Sequence, residues 1–209
     1  MTTMGKPRYI GLVCLVMICY PGPSGAQTDG KSFPIPPVIK GERMLSMVPW
    51  TVGANDLLCV VTERSIKVNG ESGPIRVVTI YRRDSKALTR IFDSKTLDSF
   101  VTAFPLSEVG GRLFVVWTGG SAYHFSAYAM VGGNVRQVLD TGSKGMPEFV
   151  FDQNENESIL ITKKLLVNGE WRRTNDSTTD IYSWDGAKYQ FVANVPWNAR
   201  LAASAPKAH

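Results

Sequence analysis

The chain has 209 residues, 44% of them hydrophobic and 20% charged, a balance that excludes disorder, collagen, coiled coil and a multi-pass membrane protein. Its formal net charge is +5; without Lys6 and Arg8 of the leader described next, 21 basic residues face 18 acidic ones, for +3. That charge is too mild for a nucleic-acid footprint.

Met1 to Arg8 carries two positive charges and no acid, Tyr9 to Tyr20 is an apolar run of 12, and Pro21, Pro23 and the small residues Ser24-Gly25-Ala26 follow. This order predicts a secretory signal peptide over residues 1–26 and a secreted or periplasmic protein beginning near Gln27. The run is shorter than the roughly 18 residues a spanning helix needs, so no membrane span is expected. Cys19 follows the bulky Ile18, where lipoprotein cleavage sites carry Gly or Ala, which argues against lipidation. With Cys14 and Cys19 in the leader, only Cys59 remains and no intramolecular disulfide can form. Within Leu57-Leu58-Cys59-Val60-Val61 it reads as a small buried hydrophobe. An exported chain without disulfides suits a Gram-negative periplasm. Asn156-Glu157-Ser158 and Asn175-Asp176-Ser177 are formal glycosylation sequons, meaningful only in a eukaryotic source. Residues 27–42, with Pro34, Pro36 and Pro37, read as an extended arm, 43–200 as one all-β body, and 201–209 as a flexible tail.

From Met44 onward short runs of Val, Ile, Thr, Phe and Tyr alternate with Gly, Asn, Asp and Pro, the pattern of an all-β domain. Three segments look like one strand written three times: Asp56 to Thr62, Arg112 to Thr118 and Glu157 to Thr162 each set a polar residue before an apolar run ending at Thr. Downstream, Tyr81, Tyr128 and Tyr182, spaced by 47 and 54 residues, each close a strand. A turn of Asp84-Ser85, Gly132-Gly133 or Asp185-Gly186 follows, then a short strand ending at Ile91-Phe92, Val138-Leu139 or Phe191-Val192. Val-Asn-Gly-Glu recurs at Val68 to Glu71 and Val167 to Glu170, and each unit opens with a candidate strand: Met44 to Trp50, Ser99 to Phe104, Pro147 to Asp152. Three units of four antiparallel strands at a period near 50 predict propeller-like blades stacked face to face. A β-sandwich or open barrel of about twelve strands is the alternative.

The segment Pro147 to Asn156 followed by Ile181-Tyr182-Ser183-Trp184-Asp185-Gly186-Ala187-Lys188-Tyr189 resembles the exported bacterial FG-GAP/VCBS-type propeller repeats. In those repeats a strand ending in an acidic calcium loop precedes a Trp-Asp-Gly-x-x-Tyr hairpin. The likeness is good over the third unit and weak over the other two.

Several motifs bear on chemistry. Asp152-x-Asn154-x-Asn156 spaces oxygen ligands as a calcium loop does, but Glu157 stands where the turn needs Gly and no bidentate carboxylate follows, so no metal is expected. Val138-Leu139-Asp140-Thr141-Gly142-Ser143 matches the aspartic-protease tripeptide, whose chemistry needs two carboxylates sharing a proton. No second copy exists, so a homodimer would have to supply one; the repeat alignment puts Asp140 where Asp93 and Asn194 fall in the other units. Ser121 and His124 lie three apart on a strand and point to opposite faces, and the nucleophile elbow is absent. One Cys and His124 are too few ligands for zinc. Of the five tryptophans, Trp50 and Trp117 sit in apolar runs. Trp171 and Trp184, with Arg172 and Tyr182, are the candidate ligand-binding residues, since aromatic faces beside polar groups suit sugars or peptides.

The expectation is therefore an exported, non-catalytic binding or scaffold protein with a protein or carbohydrate ligand, no cofactor and no nucleic acid. A homodimeric aspartic-protease-type hydrolase using Asp140 and a lectin-like carbohydrate-binding module are the alternatives. Three blades cannot close a ring, which leaves two apolar end faces and predicts a homodimer of six blades.

Overall fold

Residues 36, 40–68, 71–84, 87–106, 111–151, 157–163, 166–167, 170–171 and 177–199 are described by a computed structural model. The expected signal peptide, most of the Pro-rich arm, the loop at Asp152, Arg172, both sequon asparagines and the tail lie outside them.

The class is all-β, with three antiparallel four-stranded sheets. Sheet I holds β1 (Glu42–Val52), β2 (Asn55–Val68), β3 (Glu71–Asp84) and β4 (Ala87–Thr96) in chain order. Sheet II holds β5 (Ser99–Leu106), β6 (Arg112–Gly119), β7 (Ala122–Val131) and β8 (Asn134–Ser143) in the same order. In sheet III, β9 (Glu148–Phe151) and β10 (Glu157–Lys163) pair, and β10 then pairs with β13 (Thr178–Trp184) and β13 with β14 (Tyr189–Pro196). A small hairpin, β11 (Leu166–Val167) and β12 (Glu170–Trp171), is inserted between β10 and β13. Each sheet is thus the same meander, and none closes into a barrel.

Side chains alternate across a strand, so a strand apolar at every position must be covered on both faces. β6 is buried from Arg112 to Trp117. Leu113, Val115 and Trp117 join Leu57, Cys59 and Val61 of sheet I in one core cluster. Phe114 and Val116 join Ile159 and Ile161 of sheet III in the other. Sheet II is therefore the filling between two sheets, as a blade in a stack would be. Trp50 anchors the first interface by donating Nε1–H to the Gly111 carbonyl at 2.5 Å. Gly111 has φ +61 and a Cβ there would meet the Thr51 carbonyl at 2.9 Å, so no larger residue fits without backbone movement.

The repeat is visible in the register. Tyr81, Tyr128 and Tyr182 pair with Leu58, Leu113 and Ile159. A β-bulge falls immediately before each tyrosine, at Ile80/Tyr81, Ala127/Tyr128 and Ile181/Tyr182, with Ile91, Val138 and Val192 as the extra residues on the outermost strands. These anchors correct three details. The tyrosines do not close their strands, which run on to Asp84, Val131 and Trp184. The last strands continue past their apolar pairs to Thr96, Ser143 and Pro196, and the pair equivalent to Ile91-Phe92 and Val138-Leu139 is Val192-Ala193. The three Thr-terminated runs are also out of step: Leu58 matches Leu113 and Ile159, so Thr62 matches Trp117 and Lys163.

The apolar end faces exist but are covered. On the face of sheet I turned away from sheet II, Leu58, Val60 and Val77 are 0%, 3% and 5% exposed; on the far face of sheet III, Leu160 and Ile181 are each 1% exposed. Pro36, the described residue of the arm before Lys40, is buried and lines the sheet I end face beside Val60, Val77 and Tyr81. The expectation that these strand residues lie exposed at the two ends is thus corrected: they are buried within the single chain.

Candidate functional site

Asp140, the sharpest enzymatic hint in the sequence, lies on β8 opposite Ser126. Thr79 and Asp93 occupy the same rung in sheet I, and Asp180 and Asn194 in sheet III. All three rungs are cross-strand hydrogen bonds: Thr79 Oγ1 donates to Asp93 at 3.1 Å, Ser126 Oγ to Asp140 at 3.4 Å, and Asn194 Nδ2 to Asp180 at 2.6 Å. The aspartate of Asp-Thr-Gly is thereby explained as a repeat position.

Its carboxylate also meets Nε2 of His124, whose Nδ1 lies 2.8 Å from Asp98 Oδ2. Asp98 sits in the short link from β4 to β5 and leans over Gly119, where a Cβ would come within 2.6 Å of its Oδ1. On the other side of β8, Thr141 Oγ1 and the Gly142 carbonyl both accept from Lys163 Nζ, the first at 2.9 Å. Lys163 is also 3.6 Å from Asp180. Residues 140–142 consequently tie β8 to His124 of the same sheet, and through it to Asp98 of the β4–β5 link, on one side and to Lys163 of sheet III on the other. Within the chain an imidazole stands between Asp98 and Asp140. With both ring nitrogens on carboxylates, His124 has none left to act as base for a serine; Ser121 is exposed in the preceding turn. Sequence spacing pointed to none of this, because Asp98 is 26 residues from His124.

Between sheets II and III lies a buried polar cluster. Arg112 and Glu157 form an ion pair with side chains 3% and 0% exposed, and Tyr189 Oη donates to the other Glu157 oxygen. The Arg112 guanidinium lies 4.5 Å from the centroid of the Trp184 ring and 5.6 Å from that of Tyr189, a cation–π sandwich. Burial, and then the neighbouring Glu157 carboxylate, hold the Tyr189 phenol far above its ordinary range. Trp184, a candidate ligand contact, is thus half-buried against this guanidinium and the second core cluster.

Tyr182 packs on the same cluster and meets Phe191 edge to face, with ring centroids 5.8 Å apart. Phe191 is 57% exposed, so this pair forms an aromatic shelf open to solvent. An open groove is lined by Gln137, Val138, Leu139, Asp140 and Tyr189. Trp171 lies in β12 opposite Leu166, and its side chain is outside the described residues. Trp50 and Trp117 are core, 1% and 2% exposed. Cys59 is fully buried, and burial pushes its thiol up to about 12. Among the described residues no group of three or more His, Cys, Asp or Glu could hold a metal ion, and no helix is long and apolar enough to cross a membrane.

Compared with protein-family models and with curated proteins, the chain matches no family model and has no significant match among the curated proteins.

Proposed function

We propose that this chain is an exported, non-catalytic binding or scaffold protein built on three propeller-like repeats. The observation that carries this reading is the engagement of its reactive side chains: His124 is held at both nitrogens, Asp140 is a structural rung, and Cys59 is a buried, protonated thiol. Export rests on the charge and apolar pattern of residues 1–26. The likeness to FG-GAP/VCBS-type repeats belongs to the same proposal, supported by the stacked four-stranded sheets. Incubation with generic peptide and ester substrates tests it: no turnover is expected, and turnover that vanishes in Asp140→Ala would replace this reading with the homodimeric hydrolase.

The aromatic shelf favours a second reading, a carbohydrate-binding module. A sugar ring would stack on Phe191 and Tyr182. Phe191→Ala should then abolish binding on a glycan array while leaving the unfolding midpoint in place, because Phe191 is mostly exposed. Binding that survives Phe191→Ala removes this reading.

A further inference from the structure

The end face of sheet I departs from its own repeat in one respect. Cross-strand register equates Arg64, Arg90 and Lys95 with Gly119, Gln137 and Gly142 of sheet II. The interior sheet, which packs against a neighbour on this side, is neutral at all three positions. The end sheet carries three cations there, around a cavity of about 80 Å³.

That cavity is lined by the apolar Pro36, Met44, Val60 and Val77 and by Thr62, Thr79 and Tyr81. Arg90 is taken by Asp93, at 2.6 Å. Arg64 reaches Glu42 only at 3.5 Å, and its buried Nε has no hydrogen-bond partner. Lys95 makes no ion pair with any carboxylate among the described residues. A buried donor left unpaired is costly, so Arg64 Nε calls for an acceptor, and the exposed Lys95 ammonium adds a second positive charge beside the same small cavity.

We propose that this cavity binds a small carboxylate with a short apolar stub. Three cations against Glu42 and Asp93 leave one positive charge, which a monoanion neutralises and a dianionic phosphate would overshoot. A guanidinium presents paired donors to a carboxylate, and the apolar lining residues take the stub. The volume suits such a ligand, since a water takes about 30 Å³ of liquid. The carboxylate could come from a free acid or from the C-terminus of a partner peptide, and the chemistry at the cavity is the same.

This inference rests on the binding-protein reading and names a site for it. The test is calorimetric titration of the full protein with propionate, with acetyl-Ala-Ala-Val bearing a free carboxylate, and with the C-terminal amide of that peptide. Saturable one-to-one binding of a carboxylate ligand is expected, none of the amide, and about tenfold weaker binding in Lys95→Gln and in Arg64→Gln, the loss of one charge-assisted hydrogen bond. Tighter binding of propionate assigns a free acid, and tighter binding of the peptide assigns a chain terminus. Failure of both carboxylates to saturate, equal binding of the amide, or affinity unchanged in exposed Lys95→Gln overturns the site. None of these results would revive catalysis, which only turnover of the peptide would do.

Discussion

The two inter-sheet interfaces solve one packing problem with different chemistry. Between sheets I and II the contact is mainly aliphatic and aromatic, with Leu57, Cys59 and Val61 against Leu113, Val115 and Trp117; beside the buried Trp50–Gly111 hydrogen bond, its ionisable groups sit at the margin, where Asp98, His124 and Asp140 are each about a third to half exposed. Between sheets II and III the aromatic stack of Phe114 on Phe125, with centroids 5.4 Å apart and planes 8° from parallel, borders a fully buried ion pair. The first interface tolerates partial loss because water can replace a marginal partner. The second cannot, because water does not reach Arg112 or Glu157.

Breaking the buried pair should give the largest effect. Glu157→Ala leaves the Arg112 charge buried without compensation and should destabilise the fold by about 3–5 kcal/mol, read as a shift of the denaturant midpoint. The double variant Arg112→Met, Glu157→Leu should recover most of that loss, since a buried ion pair is weak evidence of net stabilisation. A double variant as unstable as Glu157→Ala alone would show that Tyr189 and Trp184, not the charge, set the cost.

At the first interface His124→Leu removes two partly exposed hydrogen bonds and should cost roughly 1–2 kcal/mol. A loss as large as that of Glu157→Ala would erase the contrast between the interfaces.

The sequence was legible where a residue type recurs for a local reason. The tyrosines, the Asp93, Asp140 and Asn194 rungs and the Gly132-Gly133 turn, with φ of 59° and 79°, each answer to a bulge, a cross-strand bond or a positive φ. The central strands were legible as strands but not in register. A run buried on both faces has no polar alternation to mark its phase, so aligning on Thr slipped the first unit by one residue, and one residue exchanges the two faces. The cluster of Asp98, His124 and Asp140 and the cations around the Tyr81 cavity were hidden for the same reason. Each is assembled across strands by register, and the usable signal was departure from the repeat at Arg64, Arg90 and Lys95, which appears only once the register is right.

A smaller effect tests the hairpin next to the buried pair. Asp185 accepts from the backbone N–H of Lys188 and Ala187, each at 2.8 Å, and from Gln190 Nε2 at 2.7 Å. The Lys188 N–H, then the Gln190 side chain and the Ala187 N–H, hold its carboxyl at about 2, below the ordinary 3.8. With the folded value depressed, the stabilisation is present above the unfolded value and is lost as pH falls from about 4 toward 2. Carboxyl NMR should place the Asp185 midpoint near the lower figure, and Asp185→Asn should flatten that part of the acid-unfolding curve. An ordinary midpoint would mean that the hairpin does not hold the aspartate in its turn.

The smallest expected effect lies in the first interface, at Cys59. Its thiol is 0% exposed, and burial raises it from 9.0 to about 12. An aromatic disulfide reagent at neutral pH should therefore leave the Cys59 thiol unmodified in the folded protein and react with it only on unfolding, because attack requires an accessible thiolate. The linkage runs opposite to that of Asp185. Above about pH 9 the unfolded chain releases this proton while the folded chain retains it, so stability falls as pH rises from 9 toward 12. In Cys59→Ala that alkaline slope should shrink, at the cost of a small cavity beside Leu57 and Val61. Fast labelling of Cys59 in the native protein would mean that the first interface opens readily, and the aliphatic contact would then be the looser of the two.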